Sequence, residues 1–390
     1  MHKDQKILLT RRQKKILFVC IALILLSVPM LMASGFYLYK KLTFSFEIGP
    51  KFSRFDDELG WTLKPNAKSH LRGRSLITGE VYFDSEVFTD SRGFRIGRNP
   101  PSLQESSNTI VAIGDSWTFG YCVDYEETYP FHLERLAETR TVNLGVPGYG
   151  NGSTYGLFKR HVGELEPKYV VYLSQGLWSR SFQLDNKESK EILVPTFFYD
   201  DLSEQALLKY PQPNFVTASV DKGNYPGGSL TAGYNFFNYL RYVKAPQIVD
   251  LARSTLVSLL PANSQPNIRA GNDQSAMFYG DSLDAVLDLE VTLYGNLALE
   301  HGFTLLFIVQ PFPQLKDQTP FYYESSIDKF VSKNPDADIR YISPKVFQEE
   351  VLDKANELGM AENDQYVPQD GHYGPGMNKL IANMVFDELF

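Results

Sequence analysis

The sequence contains very little cysteine and histidine. Only two of its 390 residues are cysteine, and Cys20 lies in the most apolar part of the chain, far from Cys122. A disulfide between them is implausible, and two thiols cannot build a cysteine-based metal site. No two of the six histidines show the spacing of metal ligands on one helix. The sequence therefore predicts no metal and no other cofactor, and it leaves few candidates for a general base.

The sequence also lacks any long run of charge of one sign. Its formal net charge of −8 comes from 38 basic and 46 acidic residues that are mixed along the chain. Such a surface does not attract nucleic acid or anionic lipid over a broad area, so we expect no nucleic-acid partner. With 43% hydrophobic residues, the chain has enough apolar side chains for a large core. That composition excludes a disordered or fibrous protein.

The N-terminal region contains one long apolar run between basic residues. Residues 1–15 include four basic residues close to the run, which covers residues 16–39 and is followed by Lys40 and Lys41. A run of this length can span a bilayer. Because more cationic residues precede it than follow it, the sequence predicts a cytoplasmic N-terminus and a single-pass signal anchor in the cell membrane. The rest of the chain would then lie on the extracytoplasmic side, in the periplasm or outside the cell.

A cleaved secretory signal is the alternative for this region. Ala33-Ser34-Gly35 supplies the small residues that a signal peptidase accepts. The apolar residues Phe36 to Tyr39 continue past that position, which favours a retained anchor. Both interpretations place the remainder of the chain outside the cytoplasm.

Two segments of different character follow the apolar run. Residues 43–107 are turn-rich, with short pieces such as Asp57-Glu58-Leu59-Gly60-Trp61, and they predict an extended or β-rich lead-in rather than a separate domain. From residue 108 to residue 390, apolar runs alternate with helical stretches, which indicates a parallel sheet covered on both faces. The predicted strands are 109–114, 141–144, 169–174, 304–310 and 338–342. The predicted helices are 129–139, 153–165, 281–301, 344–358 and 375–390.

The predicted fold class is therefore α/β. We expect a three-layer α/β/α sandwich around a five-stranded, mainly parallel sheet, preceded by the transmembrane helix. Residues 179–272 break the alternation and are too many for a simple crossover. They predict an insertion, partly helical near 238–260, in a position to cap the active face.

The first candidate functional residue is Ser116. An apolar strand run at 110–113 ends abruptly in Gly114-Asp115-Ser116, which places the serine at the carboxyl end of the first core strand. Open α/β sheets carry their sites at this end. The backbone N–H groups after the turn can point into the same space as donors to an oxyanion. By position alone, Ser116 would equally suit an ordinary helix N-cap.

The second candidate group lies just before the last predicted helix. Asp370-Gly371-His372 is followed by Pro375, which suits a first helical position, so the aspartate and the histidine lie on the loop that enters the helix. A serine hydroxyl needs an imidazole to take its proton and a carboxylate to orient that imidazole. An isolated Asp-x-His is more often a solvated polar loop, so this motif indicates a catalytic site only in combination with Ser116.

Together these two motifs resemble the SGNH (GDSL-like) hydrolase family. The resemblance covers about residues 108–390 and includes the segment from Val142 to Gly150, which is similar to the second block of the family. It implies a flavodoxin-like SGNH hydrolase fold with Ser116 as nucleophile, His372 as base and Asp370 as its orienting carboxylate. It also implies that Gly148 donates its backbone N–H to the oxyanion. The lead-in resembles that of extracellular bacterial members, with Asp-Glu-Leu-Gly-Trp and Ser-Arg-Gly-Phe-Arg pieces.

One block departs from the family pattern. The third block carries an asparagine after the third strand, but here the strand is followed by Gln175-Gly176-Leu177-Trp178. Gln175 would offer a carboxamide N–H₂ from one methylene further out. Without it, the oxyanion would rest on the N–H groups of Ser116 and Gly148. Losing one such donor typically slows turnover by about 10²–10³ without abolishing it.

Several aromatic residues near the motifs are candidates for a sugar-binding platform. They are Trp117, Tyr149, Tyr155, Trp178 and Tyr373. Core packing is the more common role for any one of them. His132 and His161 fall on predicted helices and are interpreted as ordinary helix residues.

Together with the predicted anchor, the resemblance implies a membrane-anchored serine esterase or O-acyltransferase. The expected substrate is an acylated, O-acetylated carbohydrate or another small ester outside the cytoplasm. A catalytically weak subunit that binds or assembles polysaccharide is the first alternative, favoured by the missing asparagine. A flavodoxin-like phosphate binder is the second, but the turn holds Asp115 and lacks a glycine-rich phosphate loop.

Overall fold

The computed structural model describes residues 43–99, 108–174, 195–200, 203, 205–210, 283–311 and 319–390. Contacts divide the chain into two units, the larger of which comprises Phe46–Arg74, Val81–Tyr225 and Asn267–Phe390. In the smaller unit the described residues are 43–45 and 75–80. Residues 76–78 form a turn, and the Leu76 N–H donates to the Thr43 carbonyl at 2.7 Å.

The described strands and helices alternate along most of the chain. The strands are β1 (Phe44–Ile48), β2 (Ser53–Asp56), β3 (Gly60–Leu63), β4 (Lys68–Ser75), β5 (Val81–Thr89), β6 (Arg95–Ile96), β7 (Ile110–Gly114), β8 (Thr141–Asn143), β9 (Tyr169–Ser174), β10 (Thr196–Asp200), β11 (Gln205–Lys209), β12 (Thr304–Val309) and β13 (Ile339–Ile342). The helices are α1 (Ser116–Phe119), α2 (Tyr129–Ala137), α3 (Asn151–Leu165), α4 (Leu283–His301), α5 (Thr319–Lys333), α6 (Pro344–Phe347), α7 (Lys354–Glu357), α8 (Glu362–Gln365) and α9 (Pro375–Leu389), with a 3₁₀ turn at Tyr125–Glu127 and a π-helical segment at Gln348–Asp353.

The five predicted core strands are confirmed. They are β7, β8, β9, β12 and β13, and they pair in parallel in the order β8-β7-β9-β12-β13. Every residue of β7 is buried, as its continuous apolar run requires for a strand with helices on both faces. This order places the carboxyl ends of β7 and β8 side by side.

The predicted size of the sheet is wrong. Among the described residues the sheet has nine strands, because β1, β4, β5 and β6 extend it beyond β8. The joint is an antiparallel pair in which Arg95 faces Asn143. Burial alternates along β4 and β5, as expected for strands covered mainly on one face. The lead-in thus covers β8, which would otherwise expose an unpaired edge.

Helices cover both faces of the parallel strands. On one face α2, α9 and the 344–357 helical region enclose an apolar cluster that includes Ile110, Leu173 and Ile308. On the other face Tyr294 of α4 packs on Tyr172 and Tyr323 of α5 packs on Phe307, while Tyr155 and Phe158 of α3 pack on Tyr294. The three layers match the prediction. Helix α5 was not predicted, and the predicted helix 344–358 is interrupted by the π-helical segment.

Two sequence predictions fall largely outside the described residues. The predicted spanning segment at 16–39 lies outside them together with residues 1–15, and no helix within the described ranges is both long and apolar enough to cross a bilayer. Of the insertion at 179–272, the structure describes the antiparallel pair β10 and β11. The predicted helical part near 238–260 lies outside the described residues.

Candidate active site

Ser116 lies in a tight turn between β7 and α1. The Asp115 side chain caps α1 by accepting a hydrogen bond from the Trp117 N–H at 3.0 Å. At Gly114, an added Cβ would lie 2.3 Å from the Thr118 hydroxyl oxygen and 2.8 Å from the Leu173 carbonyl oxygen. The turn therefore needs a glycine at that point. It places Ser116, which is 5% exposed, at the carboxyl edge of the sheet.

His372 and Asp370 lie on a short loop held by backbone hydrogen bonds. The Val367 N–H donates to the His372 carbonyl at 2.8 Å, and the Gly371 N–H donates to the Val367 carbonyl at 2.9 Å. Gly371 has a φ of +91°, a left-handed conformation that suits glycine. Asn378 in α9 closes the loop by donating to the carbonyls of Tyr373 and Gly374, each at 3.0 Å.

The fold brings these three side chains into one chain of hydrogen bonds. The His372 Nε2 lies 2.8 Å from the Ser116 Oγ, although the two residues are 256 positions apart in the sequence. The His372 Nδ1 is hydrogen-bonded to the Asp370 Oδ1. The side chains of His372 and Asp370 are 21% and 17% exposed, so the site is reached from the surface. This is the arrangement that activates a serine hydroxyl.

The electrostatic environment keeps Asp370 ionised. Burial by itself raises the pKa of this carboxyl, but the charge and the hydrogen bonds of His372 outweigh it and leave the pKa below its usual value. The Cys122 thiol also hydrogen-bonds to Asp370 and lowers that pKa further. Burial raises the pKa of the Cys122 thiol, and so does the nearby Asp370 charge. Cys122 is therefore a neutral donor to the carboxylate.

The contact between Cys122 and Asp370 was missed in the sequence analysis. Cys122 is 2% exposed and has a φ of +67°, which is unusual for a residue with a side chain. Its position six residues after Ser116 was the only available signal. Sequence separation from Asp370 hides the contact, because only the folded chain brings the two loops together.

Aromatic rings flank the imidazole. The centroid of Trp117 lies 4.8 Å from that of His372, and the Tyr121 centroid lies 5.2 Å from it. Both aromatic side chains are only partly buried. Of the other platform candidates, Tyr149, Tyr155 and Tyr373 are buried at 1%, 4% and 8% exposure and serve as packing residues, and Trp178 lies outside the described residues. Tyr121 was not singled out from the sequence.

The backbone N–H groups of Ser116 and Gly148 are the donors that the sequence predicts for an oxyanion. Gly148 lies in the loop that follows β8, next to the β7 turn, and has a φ of +94°. Within the described part of the chain, neither the Ser116 N–H nor the Gly148 N–H has a backbone acceptor. Gln175, the proposed carboxamide donor, lies outside the described residues. Of the three predicted donors, the structure therefore describes the Ser116 and Gly148 N–H groups.

Asn143 and Gly145 hold the two loops together. The Asn143 Nδ2 donates to the Thr118 carbonyl at 2.9 Å, and its Oδ1 accepts from the Gly145 N–H at 2.9 Å. A Cβ on Gly145 would lie 2.2 Å from the Phe119 nitrogen, so the loop after β8 approaches α1 as closely as a glycine allows. The sequence analysis quoted both residues within the second block but assigned them no role.

The remaining histidine predictions concern α2 and α3. His132 and His161 lie on these helices, as expected, and burial lowers the pKa of each. His161 packs edge-on against Phe94, with ring centroids 4.9 Å apart. Across the described ranges, no group of three or more His, Cys, Asp or Glu side chains is arranged to hold a metal ion.

The protein combines an α/β/α fold with a Ser-His-Asp hydrogen-bond chain at the carboxyl edge of its sheet. The site therefore belongs to the class in which a histidine and a carboxylate activate a serine hydroxyl. The chain matches no protein-family model and no curated protein. It is similar to solved structures of esterases and lipases. These include the psychrotrophic esterase EstA from Pseudoalteromonas sp., at 11% identity over 72% of this chain and 95% of that chain with a TM-score of 0.35.

Two further structures show a similar degree of likeness. A catalytic mutant of an acetylxylan esterase from Geobacillus stearothermophilus is 11% identical over 75% of this chain and 95% of that chain, with a TM-score of 0.33. A GDSL-like lipase from Bacteroides thetaiotaomicron is 11% identical over 74% of this chain and 93% of that chain, with a TM-score of 0.32. Similarity at this level assigns neither an activity nor a substrate to this chain.

Proposed function

We propose that this chain is a serine esterase or O-acyltransferase in which Ser116 is the nucleophile. The observation that carries the proposal is the hydrogen-bond chain from the Ser116 Oγ through His372 to Asp370. Each member occupies the position that its role requires, and Asp370 stays ionised at neutral pH. A neutral serine, an imidazole and a carboxylate in this order perform acyl transfer.

The mechanism follows from the geometry. His372 takes the hydroxyl proton through Nε2 as the Ser116 Oγ attacks the ester carbonyl, while Asp370 holds the imidazole through Nδ1. The oxyanion accepts hydrogen bonds from the N–H groups of Ser116 and Gly148. The tetrahedral intermediate collapses to an acyl-serine, and His372 returns the proton to the departing alcohol. Water or an acceptor hydroxyl then attacks the acyl-serine by the reverse sequence.

The proposed substrate is an acylated carbohydrate that carries a small acyl group such as acetyl. Trp117 and Tyr121 present partly exposed rings next to His372, and aromatic faces suit the apolar face of a sugar ring. The predicted anchor at 16–39 supports a location at the cell membrane with the site on the extracytoplasmic side. A C-terminal alkaline phosphatase fusion tests this location, because the reporter is active only outside the cytoplasm and an inactive fusion would reject it.

A fluorophosphonate probe tests the nucleophile. We expect the purified full-length chain to be labelled, Ser116→Ala and His372→Ala to lose labelling, and the exposed control Ser332→Ala to keep it. Hydrolysis of p-nitrophenyl acetate should likewise be kept by wild type and Ser332→Ala and lost by Ser116→Ala and His372→Ala. Adding a sugar acceptor would then separate an esterase from a transferase by the product that carries the acetyl group. No labelling of folded wild-type protein would reject the assignment.

A catalytically weak subunit that binds polysaccharide is the second candidate. The observation that favours it is the absence of the third-block asparagine from the sequence around Gln175. Under this alternative the chain would bind an acetylated glycan but would neither label nor turn over ester. The phosphate-binder alternative has little support, since α1 has four residues and the Asp115 carboxylate occupies its N-terminus.

A further inference from the structure

We infer that Trp61 and Arg95, both in the lead-in, are positioning residues for acyl transfer, Trp61 for the Gly148 loop and Arg95 for the segment that follows Ser116. The inference rests on the proposed function. Neither residue is part of the Ser-His-Asp chain. Each lies in a lead-in piece to which the catalytic assignment gives no role.

Trp61 binds the Gly148 loop on both sides of the glycine. Its Nε1 donates to the Pro147 carbonyl at 3.1 Å, and its own carbonyl accepts from the Tyr149 hydroxyl at 2.5 Å. The Trp61 and Tyr149 rings also pack with centroids 5.6 Å apart. The Gly148 N–H lies in the same planar peptide as the Pro147 carbonyl, so a hydrogen bond that holds this carbonyl also holds the direction of the N–H. Trp61 therefore fixes the direction of this proposed oxyanion donor.

The hairpin that carries Trp61 is fastened to the helix that follows the same loop. Trp61 pairs with Phe55 across β2 and β3. Asp56 in this hairpin binds Arg160 in α3 through two hydrogen bonds of 2.7 and 2.9 Å. Since α3 begins at Asn151, three residues after Gly148, the hairpin and the loop share one support.

Arg95 is buried and binds the backbone at the end of α1. It is 1% exposed and donates to the carbonyls of Phe119, Gly120 and Val123 at 2.9, 2.6 and 2.7 Å. The guanidinium also lies 4.3 Å from the centroid of the Phe119 ring. The planar guanidinium holds its N–H donors in a fixed arrangement, which suits three carbonyl groups that converge on it. A cation is also favourable at the C-terminus of a helix.

The segment that Arg95 holds carries two residues of the site. Tyr121 flanks His372, and the Cys122 thiol hydrogen-bonds to Asp370. Arg95 thus fixes the position of α1, which starts at Ser116. It also fixes Tyr121 and Cys122, which contact the histidine and the aspartate of the site. Burial lowers the pKa of Arg95 to about 10, so it stays cationic at neutral pH.

The two supports meet at β8. Arg95 pairs with Asn143, whose side chain binds the Thr118 carbonyl in α1 and the Gly145 N–H in the loop before Gly148. Strand β6 therefore aligns the nucleophile turn with the oxyanion loop. A donor that is displaced by about 1 Å loses much of its effect on the transition state.

Conservative variants of the full-length chain test the inference. Trp61→Phe keeps a ring but removes the indole N–H, and Tyr149→Phe removes the other hydrogen bond of the same contact. Arg95→Lys keeps the positive charge but replaces the planar guanidinium, with its several N–H donors, by a single ammonium group. Arg92→Lys is the control, because Arg92 lies three residues before Arg95 and its guanidinium contacts the carboxylates of Asp90 and Glu164 and the Phe94 ring, none of which belongs to the site.

The readouts are the labelling stoichiometry at saturating fluorophosphonate, the second-order labelling rate, and kcat and KM for p-nitrophenyl acetate. We expect Trp61→Phe and Tyr149→Phe to reach the wild-type stoichiometry while the labelling rate and kcat fall about tenfold or more and KM changes little. Arg95→Lys should show the same pattern where it folds, and Arg92→Lys should match wild type.

Wild-type rates in both Trp61→Phe and Tyr149→Phe would overturn the inference and leave the nucleophile assignment standing. Rates that fall only in proportion to the stoichiometry would also overturn it, since a smaller folded fraction explains them. If the wild type is not labelled, the proposed function itself fails and the inference fails with it. The stoichiometry thus separates the two failures.

Discussion

Replacing Glu290 with glutamine should remove a large pH dependence from the stability of the fold. Glu290 lies in α4, is fully buried, and accepts hydrogen bonds from Asn151 at 2.9 and 3.1 Å, Tyr323 at 2.9 Å and Tyr172 at 3.1 Å. Burial raises its pKa to about 7, against the opposing effect of these hydrogen bonds. Glutamine has nearly the same shape and carries no charge at any pH.

The sign follows from the two states of the chain. The folded protein keeps the Glu290 proton up to about pH 7, whereas the unfolded chain releases it near the ordinary value of 4.5. The contribution of this group to stability is therefore fully present below pH 4.5 and is lost as the pH rises through 7. At about 1.4 kcal/mol for each pH unit between the two values, the loss is about 3 kcal/mol.

Chemical denaturation of wild type and Glu290→Gln between pH 4.5 and pH 8 measures the effect. We expect the free energy of unfolding of the variant, relative to wild type, to rise by about 3 kcal/mol across this range. Glu300→Gln is the matched control, because Glu300 lies exposed on the same helix. Parallel stability curves for wild type and Glu290→Gln would refute the reasoning and would show that the folded protein accommodates the ionised carboxylate.

Further predictions concern the site. Asp370→Asn should lower kcat for p-nitrophenyl acetate by about 10⁴ with little change in KM, because the imidazole loses its orienting acceptor; a wild-type kcat would exclude that role. Gly148→Ala should slow acylation, because a φ of +94° strains any residue with a side chain. Burst kinetics measure the acylation rate, and an unaltered rate would show that the loop tolerates alanine. Cys122→Ala should raise the pKa of Asp370 by removing one donor, and an NMR titration of the Asp370 carboxyl that shows no upward movement would contradict this role of the thiol. Trp117→Ala should raise KM for an acetylated glycan more than for p-nitrophenyl acetate, and equal changes would count against a sugar platform.

The parallel core was readable from the sequence because its residues carry a local signal. Runs such as 110–113 and 305–309 are continuously apolar, and such runs predict strands that are buried on both faces. Ser116, Asp370 and His372 were selected because each lies where a strand or a helix begins or ends. The resemblance of their spacing to a known family then joined them before any distance was available.

The lead-in was harder to interpret because its strands alternate and are short. The sequence predicted β structure at 43–107 but not its pairing with β8, since the Arg95 to Asn143 pair joins residues 48 positions apart. Helix α5 was missed as well. Its apolar residues, such as Tyr323, face a partner helix and the sheet, and that partner is visible only once the chain has folded.

The sequence by itself determined the order of the core elements, the nucleophile turn and the Asp-x-His loop, because periodicity and turn chemistry are local properties of the chain. Only the tertiary structure decided that Cys122 donates to Asp370, that Trp61 binds both sides of Gly148, and that Arg95 holds the backbone after Ser116. These contacts join segments that are distant in sequence. Their partners are backbone carbonyls and a partly buried carboxylate, whose positions are set by strand order and packing rather than by residue type.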